Sequence, residues 1–385
     1  MKFCTRCILP TTRPELELEE EVPLCNACRG NLEKKTEVNW PLREQELREL
    51  LTRYQNPDPK GYDCVIPVSG GKDSTWQVHT IKEKFGLKPL TFTWKPRFRT
   101  QLGWKNLENL QDLGVDHIDF TVNPKVERKF ILKALIKNGS PSLPEHMALF
   151  SLSLNTAIRF CIPLVVWGEN PGLEYGGTKK LRQSPVMNRE WFLKYGVTNG
   201  TFAEDWVDEN LSLEEMTPYI FPDDNLLKKS GILPIFLGWF IPWDPVQVAT
   251  EVRKLGFQWA QKPALGYYPF SDLDAPFILI HHFMKWFKFG FTRLWDNLSL
   301  EIREGRMTRE QAVHYIRTHP EPTPVEAIKL LCDYLDIQIK QFWDIVESHR
   351  NANIWQKNSK GDWFLPALIE EFGFMPDNYK DKIYG

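Results

Sequence analysis

The sequence predicts an α/β fold in which a parallel, doubly wound sheet follows a small metal ribbon and precedes a helical layer. Three observations carry this. Between residues 63 and 167, short apolar runs alternate with helical periodicities, the order that builds a parallel sheet with helices on both faces. Two Cys-x-x-Cys pairs stand within the first thirty residues. In the last third, apolar residues recur at helical spacing behind capping signals. The segments are read as 1–40 ribbon, 41–60 helix and linker, 61–190 sheet domain, and 191–385 helical and substrate region.

The pairs are Cys4/Cys7 and Cys25/Cys28, with seventeen residues between them. That falls in the range of structural zinc sites. Each knuckle presents two thiolates on one side of a tight turn, and two knuckles complete a closed tetrahedron. Four thiolates do not by themselves choose zinc over iron. The intervening segment is rich in Glu and Pro and could not form a core alone, so the metal supplies its folding energy. With 7 cysteines in the chain, Cys64 and Cys161 fall in predicted strands and read as core.

Leu42, Leu47, Leu50, Leu51 and Tyr54 mark a helix over 41–55, and Asn56–Gly61 is a breaker-rich linker. The first strand, 63–68, runs into Ser69-Gly70-Gly71-Lys72-Asp73-Ser74. Ser74, Val78, Ile81 and Phe85 then fall at helical spacing before Gly86. Strand, glycine loop and helix make an anion cradle: adjacent glycines let the backbone approach closely, and the first-turn amides point at the anion. Lys72 adds a point charge. A Walker loop would need Gly where Ile66 stands and Ser or Thr where Asp73 stands.

Strands follow at 88–94, 115–120 and 162–167, with helices over 102–113, 126–137 and 145–160 between them. Ligands of such sheets bind beyond the carboxyl ends of the strands. The loop after Trp94 carries Lys95, Arg97 and Arg99, suited to phosphate or a sugar carboxylate, or forming a solvated basic turn. The loop Gly168-Glu169-Asn170-Pro171-Gly172-Leu173-Glu174-Tyr175-Gly176-Gly177 brings carboxylates, an amide and glycines to the same edge, a composition suited to Mg²⁺–phosphate and substrate contacts.

Residues 184–230 are polar and irregular and read as a lid or an insertion. Gly231–Trp243 is the most apolar window, too short for a bilayer and broken by Pro234 and Pro242. Over 278–295, Phe283, Trp286, Phe287 and Phe291 fit a buried helical face. His281, His282, Lys285, Lys288 and Arg293 are weaker candidates for an acidic ligand. Thr308-x-x-Gln311 and Thr323-x-x-Glu326 have capping-box spacing.

A net charge of −2 and a pI near 6.5 disfavour a dedicated nucleic-acid binder. The N-terminus has no secretory pattern, so the chain is expected to be soluble and cytoplasmic, without membrane insertion.

The six residues 69–74 resemble the SGGxDS signature of the PP-loop ATP pyrophosphatases, an adenine nucleotide α-hydrolase-like fold. The order of Cys-x-x-Cys pairs, SGGKDS, Trp167-Gly-Glu-Asn-Pro171, Glu174-Tyr-Gly-Gly177, Trp239–Asp244 and His282–Gly290 with Arg293 and Asp296 is similar to that of the N-acetyl sugar amidotransferases of bacterial surface-polysaccharide synthesis, along nearly the whole chain. The resemblance implies ATP-dependent conversion of a sugar acetamido group to an acetamidino group, with ATP, Mg²⁺ and a structural Zn²⁺. It implies that Lys72, Asp73 and Glu169 carry the chemistry. ATP would lie against Val68, Ser69, Gly70, Gly71, Lys72, Asp73, Ser74, Thr93, Trp94 and Gly168. A nucleotide-linked N-acetyl sugar would meet Arg97, Arg99, Asn170, Glu174, Tyr175 and His281. The sequence holds no Cys-His-Glu glutaminase pattern, so ammonia is expected from a separate glutaminase subunit.

Two alternatives stay open: a tRNA-thiolating PP-loop adenylyltransferase, and a non-catalytic zinc-ribbon adaptor. Thiolating relatives often carry a Cys-x-x-Cys pair where this chain has Ser142 and Glu145, which disfavours sulfur transfer. The intact Lys72-Asp73-Ser74 disfavours the adaptor.

Overall fold

The computed structural model describes residues 1–178, 182 and 184–379. Its centre is a sheet of β1 (Cys64–Pro67), β2 (Pro89–Trp94), β3 (Asp116–Phe120), β4 (Leu164–Trp167) and β5 (Leu233–Phe236). All neighbours are parallel, in the order β3-β2-β1-β4-β5. Cys64 of β1 lies opposite Pro89 on one side and Leu164 on the other. The chain reverses its direction of travel between β1 and β4. A crevice therefore opens beyond the carboxyl ends of these two strands.

Successive residues of β1 serve opposite faces. Val65 packs with Phe130 and Ala134 of α5 (Pro124–Asn138) and with Met147 and Leu154 of α6 (Leu143–Arg159). Cys64 and Ile66 pack with Leu47 and Leu51 of α2 (Trp40–Tyr54), Val78 of α3 (Lys72–His79) and Leu107 of α4 (Gln101–Gln111). The α4 start is fixed by Thr100, whose hydroxyl accepts from the Gly103 N–H at 2.9 Å. A turn of π-helix, Thr80–Lys84, carries α3 on toward Phe85 and left-handed Gly86.

The ribbon folds against the C-terminal helices. Phe3, Ile8 and Leu9 share one core with Phe283, Trp286, Phe287 and Phe291, and with the helices over 293–348. The apolar side chains expected of 278–295 are all buried, although the helix Phe277–Phe289 ends at left-handed Gly290, before Phe291.

The expectations for Cys161 and Thr323 are corrected, and other segments gain detail. The window 231–243 contains an edge strand, β5, which tolerates Pro234 because an edge does not need every N–H. Residues 184–230 carry Trp191, Phe192, Trp206 and Tyr219 into the core on the α5–α6 face, so aromatic packing fixes this irregular segment. Cys161 is exposed, in a left-handed turn before β4, not in a strand. The capping box at Thr308 and Gln311 forms. The one at Thr323 does not: the helix begins at Val325 with Pro324 at its N-cap, which displaces Thr323 outward by a residue.

Candidate active site

The loop after β1 folds around one hydroxyl and one obligatory glycine. Ser69 Oγ accepts from the Gly71 N–H at 3.2 Å. Gly70 has φ +84, and a Cβ there would lie 2.7 Å from the Leu107 backbone nitrogen, so no other residue fits. Gly71 caps α3 without a side chain, leaving the first-turn amides for a ligand. Lys72 is buried, with Nζ 2.5 Å from Asp73 Oδ2. The other Asp73 oxygen accepts from Trp243 Nε1 at 2.8 Å. Lys72 Nζ also lies 5.4 and 5.8 Å from the ring centroids of Trp243 and Phe270.

Two cavities meet at this loop. The smaller, about 200 Å³, is lined by Ser69–Asp73, Asn106, Glu169, Tyr175, Tyr268, Asp272 and Arg293. The larger, about 900 Å³, is lined by Val68, Ser69, Asp73, Ser74, Thr93, Trp94, Gly168, Glu169, Tyr175 and His281, among others. Asp73, Glu169 and Tyr175 border both. Gly168 leaves room for the buried Gln77 amide, whose Nε2 would lie 2.0 Å from a Cβ there. Burial, reinforced by the Asp73 charge and partly offset by Lys72, pushes the half-buried Glu169 carboxyl up to about 7.

The structure thus brings the loop residues, Thr93, Trp94, Gly168, Glu169, Tyr175 and His281 to one place. It puts the other expected substrate residues elsewhere. Arg97 pairs with Glu127 at 3.3 Å. The Arg99 fork spans both oxygens of Asp119, at 3.1 and 3.2 Å. Buried Asn170 caps α7 (Pro171–Glu174) by accepting from the Gly172 N–H at 3.0 Å. Glu174 is buried against Lys34. None of these four borders either cavity.

In their place stands an array of ion pairs. Asp272 accepts from Arg293 Nε and His282 Nε2, each at 3.3 Å. Burial holds His282 down at about 4, so it bonds as a neutral imidazole. Asp296 accepts from Lys285 at 2.9 Å and from Arg13 at 3.1 Å. Glu145 also borders the larger cavity, and burial pushes its carboxyl up to about 8. Arg13 and Asp272 escaped sequence reasoning because each stands in a Pro-containing turn without periodicity, and Glu145 because it reads as an ordinary carboxylate in the first turn of α6. The Ser271-Asp-Leu-Asp-Ala-Pro276 run between aromatic stretches was the one available signal for Asp272.

The four cysteine sulfurs lie within 4.8 Å of one another, all buried. Cys4–Cys28 and Cys7–Cys25 are 3.8 and 3.7 Å apart. A tetrahedron of sulfurs about 2.3 Å from zinc has edges of about 3.8 Å, so these residues fit the metal. Cys4 Sγ accepts from the Cys7 and Cys25 N–H groups, as a thiolate ligand does.

A five-stranded parallel sheet, reversing beside the strand that feeds SGGKDS into a helix, makes an α/β fold with an anion cradle at its switch point. Residues 266–368 match the family model of the C-terminal domain of WbpG-like LPS biosynthesis proteins. It is 32% identical over 87 residues to the uncharacterized protein MJ1599 of Methanocaldococcus jannaschii, covering 23% of this chain and 30% of that one. The chain therefore spans less than a third of that relative's length. Among solved structures it is similar to the NMN synthetase of Francisella tularensis, with a TM-score of 0.33 and 14% identity, over 70% of this chain and 94% of that one. It is also similar to the NH3-dependent NAD synthetase of Campylobacter jejuni, with a TM-score of 0.29 and 14% identity, over 57% and 85%. No helix among the described residues is long and apolar enough to cross a membrane.

Proposed function

We propose that the protein is an AMP-forming, ATP-dependent amidotransferase that converts the acetamido group of a nucleotide-linked N-acetyl sugar to an acetamidino group. The observation that carries this reading is the meeting of two cavities at residues 69–73, with Asp73 and Glu169 in both walls. The smaller suits a pyrophosphate group; the larger is at the upper end of ligand-pocket volumes, about 300–1,000 Å³. The WbpG-like domain supports a role in LPS biosynthesis.

In this reading the acetamido oxygen attacks the α-phosphorus of ATP and pyrophosphate leaves. Ammonia then adds to the imidate carbon, and AMP leaves as the C–O bond breaks. Lys72 and the first-turn amides of α3 neutralise charge on the leaving pyrophosphate. Asp73 and Glu169 are the oxygen donors suited to Mg²⁺, which would supply further positive charge there. Val68, Thr93 and Trp94 border the adenine. The apolar part of the larger wall excludes water from the activated carbon. Ammonia is mostly ammonium at neutral pH, and a separate glutaminase chain supplies it.

The test incubates the protein with Mg-ATP, ammonium and nucleotide-linked diacetamido sugars. AMP, pyrophosphate and a sugar with one acetamido oxygen exchanged for N–H are expected by mass spectrometry. ADP in place of AMP, or modification of tRNA with every sugar left intact, would reject the reading.

A further inference from the structure

The segment between the two cysteine pairs does not stay within the ribbon. Arg13, Pro14 and Glu15 reach the wall of the larger cavity. Arg13 Nε bonds Asp296 at 3.1 Å, and Nη1 bonds the Tyr175 carbonyl at 3.0 Å and the Pro14 carbonyl at 3.4 Å. Among the described residues, Nη2 has no hydrogen-bond partner. Because Lys285 also bonds Asp296, two cations share one carboxylate.

The second knuckle sets the position of this segment. Glu15 is held in a left-handed conformation, φ +58, which strains a non-glycine residue. Its carbonyl accepts from Asn26 Nδ2 at 2.8 Å, and Asn26 directly follows Cys25. Gly176, φ +98, lies so near that a Cβ would meet Asn26 Oδ1 at 2.6 Å. One knuckle residue therefore touches both the Arg13–Glu15 segment and the Tyr175–Gly176 turn, and Tyr175 borders both cavities.

We propose that the ribbon is a working wall of the substrate cavity: Arg13 positions the acceptor by presenting Nη2 to its oxygens, and the metal held by the four cysteines keeps Arg13 in place. The identity of the acceptor rests on the function proposed above; the coupling between metal and wall does not.

Arg13→Ala leaves Asp296 paired with Lys285, so the fold should survive. Its KM for the acceptor should rise by about tenfold or more, the loss of one charged hydrogen bond, with the KM for ATP little changed. Arg13→Lys should not restore it, since one ammonium cannot replace a fork that holds Asp296 and Tyr175 while reaching the acceptor. An unchanged acceptor KM, or equal rises in both KM values, would overturn the positioning role. Hydrogen exchange on the metal-loaded chain tests the coupling without turnover. Chelation of the wild type should raise exchange at 172–176 together with 1–30. Unchanged exchange at 172–176 in the chelated wild type would overturn the coupling. A wild type that modifies no acetamido sugar would refute the function and leave the wall to be judged by exchange.

Discussion

Lys34 Nζ lies 2.9 and 2.8 Å from the two carboxylate oxygens of Glu174, with both side chains buried. The same ammonium donates to the Trp243 carbonyl at 3.2 Å, and Trp243 in turn holds Asp73. The pair fastens α1 (Asn26–Thr36) to the segment after β4, behind Asp73. Glu174→Gln leaves the Lys34 charge buried without its counter-charge, at a cost of about 3–5 kcal/mol. Urea unfolding should show that loss, with much of it recovered in Lys34→Met/Glu174→Leu. A loss below about 1 kcal/mol would mean that the pair is solvated, as surface pairs are.

Lys72 is the one buried cation facing the smaller cavity from the glycine loop. Its replacement by Ala should lower pyrophosphate release by about 10²–10³-fold, the usual effect of removing one charge-stabilising donor. Circular dichroism should be unchanged, because the Lys72 partners Asp73 and Trp243 keep their own bond. An unchanged release rate would remove Lys72 from the chemistry.

Local chemistry decided how much of this was legible. Phosphate cradling needs specific glycines, and zinc needs specific spacings, so 69–74 and Cys4/7/25/28 could be read from residue types. Strands β1 and β4 were legible as continuous apolar runs, and β2 and β3 through the alternation of Leu90, Phe92 and Trp94 and of Ile118 and Phe120. β5 was hidden because Pro234 within it and Pro242 after it mimic a breaker segment. The substrate wall was only half legible. Arg97, Arg99 and Glu174 are charged loop residues at the correct sheet edge, yet Glu127, Asp119 and Lys34 neutralise them. The partners that do this lie 30, 20 and 140 residues away, and no local pattern encodes such pairing. Arg13 was invisible for the same reason: its place depends on Asp296, 283 residues away.

The raised Glu169 carboxyl makes the ligand-free protein pH-sensitive. Its folded pKa, about 7, lies above that of an ordinary glutamate. Between the two values the native state holds a proton that the unfolded chain has lost, so stability falls as pH rises through this window. The loss is at most ~3 kcal/mol, reduced by the partial exposure of the group. Glu169→Gln should match the wild type near pH 4.5 and exceed it in stability at pH 8, by thermal unfolding of each at both values. A constant difference between them across that range would show that Glu169 titrates normally.

Removing the ribbon metal should have the largest effect on order in the N-terminal segment. Its hairpin contains three prolines between the cysteine pairs, and the two bridges Phe3–Pro10 and Leu18–Cys25 are its strand-like pairing. Phe3, Ile8, Leu9, Pro10 and Leu16 add buried apolar side chains to the four cysteines and Ala27 over residues 1–28. That core is too small to offset the entropy of ordering the segment, which costs about 1–2 kcal/mol per residue. Metal analysis should therefore give close to one zinc per chain, and Cys7→Ser should lose it. Proteolysis should then cut between residues 8 and 24 while the sheet domain stays resistant. A metal-free chain in which that segment resists protease would show that packing against the C-terminal helices suffices to fold the ribbon.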